Sequence, residues 1–136
     1  MEVTYRDELP STSMFTELFE TTGWNRIYKA SPTALEEALH HSWYSISAYE
    51  SEQLVGFGRV VSDGVLHAMI YDLIVTPSCQ GRGIGSEILN RLVQNCRTAG
   101  IRDVQLFSAA GKSSFYERFG FAARGADSPG MHLPRE

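Results

Sequence analysis

The chain has 136 residues, 43% of them hydrophobic and 21% charged, with a formal net charge of −4. These values suit one globular domain with a hydrophobic core and exclude a disordered, collagenous or coiled-coil chain. The mild acidity speaks against general nucleic-acid binding, which depends on clustered Lys and Arg, and is compatible with a cationic substrate such as an amine.

Val3 to Arg6 reads as a short first strand. Ser11 or Ser13 caps a helix through about Thr22, with Met14, Phe15, Leu18 and Phe19 on one face, and Gly23 ends it. Ser31-Pro32 starts a second helix, an N-cap followed by proline at the first helical position, and Leu35, Ala38 and Leu39 give it a modest apolar stripe. Tyr44 to Tyr49 is a strand with Ser47 among apolar neighbours, and Glu50 to Gln53 is a turn. Leu54 to Val61 is the next strand, closed by the hairpin dipeptide Asp63-Gly64. Leu66 to Val75 is a third, strongly apolar run with Asp72 inside it, so the three form an antiparallel meander.

After Pro77 the pattern changes to Cys79-Gln80-Gly81-Arg82-Gly83-Ile84-Gly85 and a helix to about Ala99. Ile84, Ile88, Leu89, Leu92, Val93 and Cys96 recur on one helical face, and Gly100 stops it. Val104 to Ser108 is a strand, Ser113 to Phe119 a short helix, and Phe121 to Ala123 and Met131 to Leu133 are further short strands. A strand, helix, strand unit around Gly83 implies a right-handed crossover between parallel neighbours. The expected fold is a single α/β domain over residues 1–136, its mixed sheet antiparallel first and parallel later.

No apolar run approaches the ~20 residues that span a bilayer, and Met1 to Pro10 carries acids without the apolar stretch of a secretory signal. Cys79 and Cys96 match neither a zinc framework nor a disulfide-dense secreted domain. His40, His41, His67 and His132 have no metal-ligand spacing. The expected compartment is the cytoplasm, with no metal and no membrane or nucleic-acid partner.

The glycines at 81, 83 and 85 stand between a strand and a helix. Glycine lets backbone N–H groups approach an anion closely, the helix N-terminus adds unpaired N–H groups, and Arg82 adds a cation. Together they make a pyrophosphate cradle. An NTP-binding P-loop needs Lys then Ser or Thr after the last glycine, where this chain has Ser86-Glu87. A dinucleotide fingerprint needs glycine at 86. The plain alternative is a turn that only joins strand to helix.

Val75-Thr76-Pro77 followed by Gln80-Gly81-Arg82-Gly83-Ile84-Gly85 resembles the coenzyme A signature of the GNAT acetyltransferase superfamily. Phe115-Tyr116-Glu117-Arg118-Phe119-Gly120-Phe121 resembles its second signature. Gly23-Trp24, Val55-Gly56, Arg59 to Asp63 and Tyr71-Asp72-Leu73-Ile74-Val75 look like the subgroup with plant and cyanobacterial serotonin-type arylalkylamine acetyltransferases. The resemblance implies the GNAT fold, in which the strand ending at Val75 splays from the strand Val104 to Ser108. It implies that pantetheine of acetyl-CoA pairs with the backbone near Leu73, Ile74 and Val75, and that its pyrophosphate sits on the amides of Gly81, Arg82, Gly83, Ile84, Gly85 and Ser86, with Gln80 also at the cofactor. Lys112, Ser113 and Arg118 fall toward the adenosine end, and Phe115 is a further cofactor-binding position. Many relatives carry Asn or Asp where this chain has Ala109, so Ser108 is the nearby substitute.

Acetyl transfer to an amine requires loss of an amine proton, donors to the acyl oxygen and an acid for the departing thiolate. Tyr116 is the candidate acid, because a phenol is protonated at neutral pH and the resemblance puts this tyrosine beside the sulfur. Asp72, a carboxylate inside an apolar run, is the candidate base or ammonium binder, and strict alternation groups it with Ile70 and Ile74. The alternative for Asp72 is a structural pair with Arg59. His67 reads as a surface or cap residue, with assistance to Asp72 on the same strand as the alternative. Trp24, Tyr28, Tyr71 and Met131 are the candidate acceptor-site residues, with Trp24 a pocket wall or lid.

The expected activity is N-acetylation of a small, arylalkylamine-like primary amine by direct attack in a ternary complex. A polypeptide N-terminus or lysine as acceptor, and a non-catalytic acyl-CoA-sensing module, stay open as other readings. Relatives that pair through C-terminal strands imply a homodimer as a further option.

Overall fold

The computed structural model describes residues 2–135. Its five strands are β1 (Val3–Arg6), β2 (Tyr44–Glu50), β3 (Gln53–Ser62), β4 (His67–Val75) and β5 (Asp103–Leu106), and they lie side by side in that order. β1 to β4 are antiparallel neighbours. β5 joins β4 start to start, where the Asp103 N–H donates to the Leu66 carbonyl at 2.8 Å. Two strands that begin together run parallel, which requires the crossover helix between them. The meander and the parallel pair expected from the sequence are both present.

The helices are α1 (Thr12–Glu20), α2 (Asn25–Tyr28), α3 (Pro32–His40), α4 (Ile84–Thr98) and α5 (Ser113–Glu117). Ser11 caps α1 and Ser31 caps α3, each hydroxyl accepting from the N–H three residues on. The short α2 was absent from the sequence expectation. It forms because Asn25 closes the turn twice, accepting from Ala30 N–H at 2.9 Å and donating to Ala30 O at 3.1 Å.

Residues up to Gln105 form one compact unit and those from Leu106 onward a second. In the first unit the sheet has two covered faces. Phe15, Leu18 and Phe19 of α1 and Leu35 and Leu39 of α3 pack against Leu54, Phe57 and Ile74. On the opposite face, α4 buries Ile84, Ile88, Leu89, Leu92, Val93 and Cys96, the same six positions that carry its apolar period. Two small residues of β3 let α4 approach closely. A Cβ on Gly56 would stand 2.9 Å from Ile88 Cδ1, and one on Gly58 2.9 Å from both Ile88 Cγ2 and Leu92 Cδ1. Ser47 is fully buried in β2, and its hydroxyl donates to the Glu8 carbonyl at 3.3 Å.

The second unit carries α5 and an aromatic group in which Phe115, Tyr116, Phe119 and Phe121 meet ring to ring. The short strands expected at Phe121–Ala123 and Met131–Leu133 do not form. Arg124 instead donates to the Ser128 carbonyl at 2.8 Å, and Ser128 N–H returns to Gly125 O at 2.9 Å, closing a turn. Pro129 and Pro134 bracket the last stretch and withdraw two backbone donors from any ladder. Gly130 lies so close to the Phe107 ring that a Cβ would meet it at 2.6 Å.

Candidate functional site

The glycine loop begins where β4 ends. Pro77–Cys79 makes one 3-10 turn, and Gln80 Nε2 donates back to the Val75 carbonyl at 3.0 Å, fastening loop to strand. Gly81 and Gly83 both sit in the left-handed region, at φ 80° and 84°. A side chain is strained there, and no neighbouring atom stands within 4 Å of where a Cβ would be. Gly83 is the N-cap of α4, and the first helical bond runs from Glu87 N–H to Gly83 O. The amides of Ile84, Gly85 and Ser86 therefore precede the first i to i−4 bond and lack a helical acceptor. An open concavity of such amides at a positive helix end fits a phosphate. Arg82 is not held out as a free cation. Its guanidinium pairs with both carboxylate oxygens of Glu50 at the end of β2. Cys79 is buried at the loop's edge, with the Ser78 hydroxyl 3.8 Å from its sulfur.

Upstream, β4 contains an irregularity that the period of its sequence does not show. Ile74 pairs with Phe57 and Tyr71 with Arg59, so Asp72 and Leu73 together face Gly58 alone. This is a β-bulge, and Asp72 takes up the extra residue at φ 55°. Asp is one of the few non-glycine residues that tolerates that conformation. The bulge corrects the strict alternation. Ile70 shares the side of its partner Val60, which is Gly58's side, whereas Ile74 shares Phe57's and packs in the α1 core. Asp72 turns toward Arg59, whose Nε donates to Asp72 Oδ2 at 2.7 Å. Both side chains are largely buried, at 15% and 19% exposure. Arg59 also reaches Ala38 O at 3.2 Å and Ser42 Oγ at 3.4 Å, and its guanidinium lies 5.9 Å from the Tyr71 ring centroid. The pairing of Asp72 with Arg59 is thus realised, and among the described residues Oδ1 of Asp72 has no partner. His67 does not assist Asp72. It stands at the start of β4 with Nδ1 3.7 Å from Asp103 Oδ2.

Of the acceptor-site candidates, Tyr71 is exposed beside Arg59 and Tyr28 is exposed while stacking on Phe19 at 6.2 Å. Trp24 is not a free lid. α2 follows directly after it, and its ring packs edge-on against Phe19 at 6.0 Å, half-buried on the core. In the second unit Met131 is exposed in a stretch without regular structure. Lys112 caps α5, Ser113 opens it, and Arg118 lies 5.5 Å from the Phe115 ring centroid. Tyr116 is half-buried between Phe115 and Phe121, and this desolvation pushes its phenol above the ordinary value of 10.0. Ser108 donates to the carbonyl of its own neighbour Ala109 at 2.9 Å, a local use of the hydroxyl expected to replace the missing amide or acid.

Residues 12–131 match the family model described as acetyltransferase (GNAT) domain. The chain belongs to the GNAT acetyltransferase family. It is 36% identical over 110 residues to serotonin N-acetyltransferase 2, chloroplastic, of Oryza sativa subsp. japonica, a match covering 78% of this chain and 54% of that protein. It therefore spans about half the length of this curated relative. A GNAT-family acetyltransferase from Streptococcus pneumoniae is 28% identical with a TM-score of 0.84, over 98% of each chain. A GNAT-family acetyltransferase from Brucella melitensis, solved in complex with acetyl-CoA, shares the fold with a TM-score of 0.68 at 23% identity, over 90% of this chain and 84% of that one.

Within this GNAT chain, the two signature segments coincide with structural features that need them. The first supplies both left-handed glycines of the loop, and the second supplies α5 with its aromatic group. Two residues outside the expected site belong to its surroundings. Glu50 holds Arg82, and Gly58 faces the β4 bulge. The charge of Glu50 at a strand end gave no sign of a partner 32 residues away.

Proposed function

We propose that this GNAT domain is an acetyl-CoA-dependent N-acetyltransferase whose acceptor is a small primary amine of arylalkylamine type. The observation that carries the reading is the loop of left-handed Gly81 and Gly83 running into the free amides of α4, directly downstream of the bulged strand β4. Bound there, acetyl-CoA supplies the acetyl thioester. Amides of Gly81 to Ser86, with Gln80 fastening the loop, hold its pyrophosphate. Backbone groups of Leu73, Ile74 and Val75 align the pantetheine as an added strand, and a bulge N–H donates to the acyl oxygen. Lys112, Ser113 and Arg118 serve the adenosine end, and Phe115 adds to the cofactor site.

Asp72 offers Oδ1 to the acceptor nitrogen while Oδ2 stays on Arg59. A carboxylate oxygen held in this way binds and orients the amine through a charge-assisted hydrogen bond. Tyr71, Tyr28 and the exposed edge of Trp24 present aromatic surface to an arylalkyl group, and Met131 is the soft apolar candidate of the second unit. Attack by the neutral amine forms the C–N bond and breaks the C–S bond; the amine's proton leaves to water, Tyr116 protonates the departing thiolate and its phenolate regains a proton from water. A phenol is protonated at neutral pH at its ordinary value of 10.0, and burial raises it further, so the proton is present for transfer. Support for the acceptor class comes from these aromatics and from the similarity to a rice protein named for serotonin.

The deciding experiment is thiol release from acetyl-CoA, with and without arylalkylamines, polyamines, amino sugars and short peptides. Release that depends on arylalkylamines is expected. Release with peptides alone would replace the acceptor, and cofactor binding without release for any amine would overturn the enzymatic reading.

A further inference from the structure

Arg59 has more partners than a structural ion pair requires. It stands in β3 opposite Tyr71, at the last register position before the bulge. Its Nε holds Asp72 Oδ2 at 2.7 Å, while Nη1 reaches the Ala38 carbonyl in the last turn of α3 at 3.2 Å and Ser42 Oγ at 3.4 Å. One planar group thus ties the bulged residue of β4 to the end of α3. Asp72 has φ 55°, a conformation that unpaired Asp adopts only at some strain. Engaging a single carboxylate oxygen fixes the side-chain rotamer and leaves Oδ1 with its full accepting capacity among the described residues.

We infer that Arg59 is a positioning residue for the acceptor amine, locking Asp72 and the β4 bulge so that Oδ1 meets the amine nitrogen. The inference rests on the acetyl-transfer reading above. Arg59 acts through Asp72 and touches no reacting atom. Lysine does not replace it, because a point charge lacks the fork that spans Asp72 and Ala38. Its loss is felt first in amine binding, since the cofactor keeps its pyrophosphate contacts on the glycine loop and loses only part of its alignment at Leu73 and Ile74.

The test is a double-mutant cycle with Arg59→Met, Asp72→Asn and the pair together, beside Arg59→Lys. Asn tolerates the left-handed conformation, so Asp72→Asn keeps the bulge. The double variant buries no unpaired charge and stays informative if Arg59→Met alone folds poorly. Arg59→Met is expected to raise the amine KM about tenfold, to lower acetyl-CoA affinity by a clearly smaller factor, and to add little in the Asp72→Asn background. Arg59→Lys should recover only part of the KM. Additive effects, a matching loss of acetyl-CoA affinity, or full recovery by Lys would overturn the inference. Amide hydrogen exchange at Leu73 and Ile74 reads the positioning without turnover. Exchange should quicken in Arg59→Met, and unchanged exchange overturns the inference as well. Absence of amine-dependent thiol release from the wild-type chain would instead overturn the acetyl-transfer reading alone.

Discussion

Arg82, between the two left-handed glycines, reaches back to Glu50 at the far end of β2, with Nη1 3.3 Å from Oε1 and Nη2 close to Oε2. Hydrogen bonding to the guanidinium holds the Glu50 carboxyl below its ordinary value. The cation that the loop offers a phosphate is therefore already claimed, and anion binding has to compete with Glu50. Glu50→Gln should tighten coenzyme A about threefold, the scale of an exposed ion pair, and steepen the salt dependence of binding as Arg82 turns to phosphate. Titration calorimetry at two ionic strengths checks both. Weaker binding would mean that the pair shapes the loop instead of competing for it.

Tyr116→Phe removes only the phenolic hydroxyl and leaves the ring among Phe115 and Phe121. Turnover should fall about a hundredfold, in the range of lost general-acid catalysis, with acetyl-CoA affinity unchanged by calorimetry. Unchanged turnover would remove Tyr116 as the acid.

Asp72→Asn keeps the bulge conformation and the hydrogen-bonding shape but loses the charge. If Asp72 binds the amine, the amine KM rises about tenfold and the loss is the same at pH 7 and pH 9. Activity that recovers at the higher pH would assign Asp72 the proton instead.

How far these features could be read in the sequence depended on whether local pattern or distant contact decides them. The α4 face was legible because six apolar residues at helical spacing leave one way to bury them. The loop was legible because Gly81 and Gly83 are needed for their backbone angles. The β4 bulge was not, because a period of two assumes a regular ladder and nothing in Tyr71-Asp72-Leu73 announces an extra residue. Its cause lies across the sheet, where Gly58 presents no side chain and Arg59 draws Asp72 over. Trp24 was read as a loop aromatic because the Asn25 turn that seats it on Phe19 carries no strong periodic signal. The C-terminal strands were read from stretches of only three residues, which do not outweigh Pro129, Pro134 and the Arg124 turn.

The glycines of β3 and of the loop serve different ends, and alanine separates them. At Gly58 a Cβ would meet Leu92 Cδ1 and Ile88 Cγ2 at 2.9 Å and Leu73 Cδ1 at 3.3 Å. Gly58→Ala should cost about 1–3 kcal/mol through overpacking and lower the melting temperature. At Gly83 the space is open and only φ 84° opposes a side chain. Gly83→Ala should cost about 1 kcal/mol of stability and weaken coenzyme A binding by a larger factor than Gly58→Ala does. Equal effects on binding would show that the loop's backbone angles do not shape the phosphate site.

Alkaline pH should destabilise the fold through groups that burial holds protonated. Desolvation raises Tyr5, Tyr44 and Tyr116 above their ordinary value of 10.0, and raises Cys96, fully buried on the inner face of α4, above 9.0. The unfolded chain releases these protons at the ordinary values while the native chain still holds them. The native state then binds more protons, so the free energy of unfolding falls as pH rises. The loss begins near pH 9, where the unfolded thiol starts to ionise, and grows through pH 10 as the phenols follow. Melting temperatures should be level from pH 7 to 8 and decline above 9. Cys96→Ala removes the earliest of these groups and should shift the onset toward pH 10. An onset unmoved by Cys96→Ala would assign the alkaline loss to the tyrosines alone.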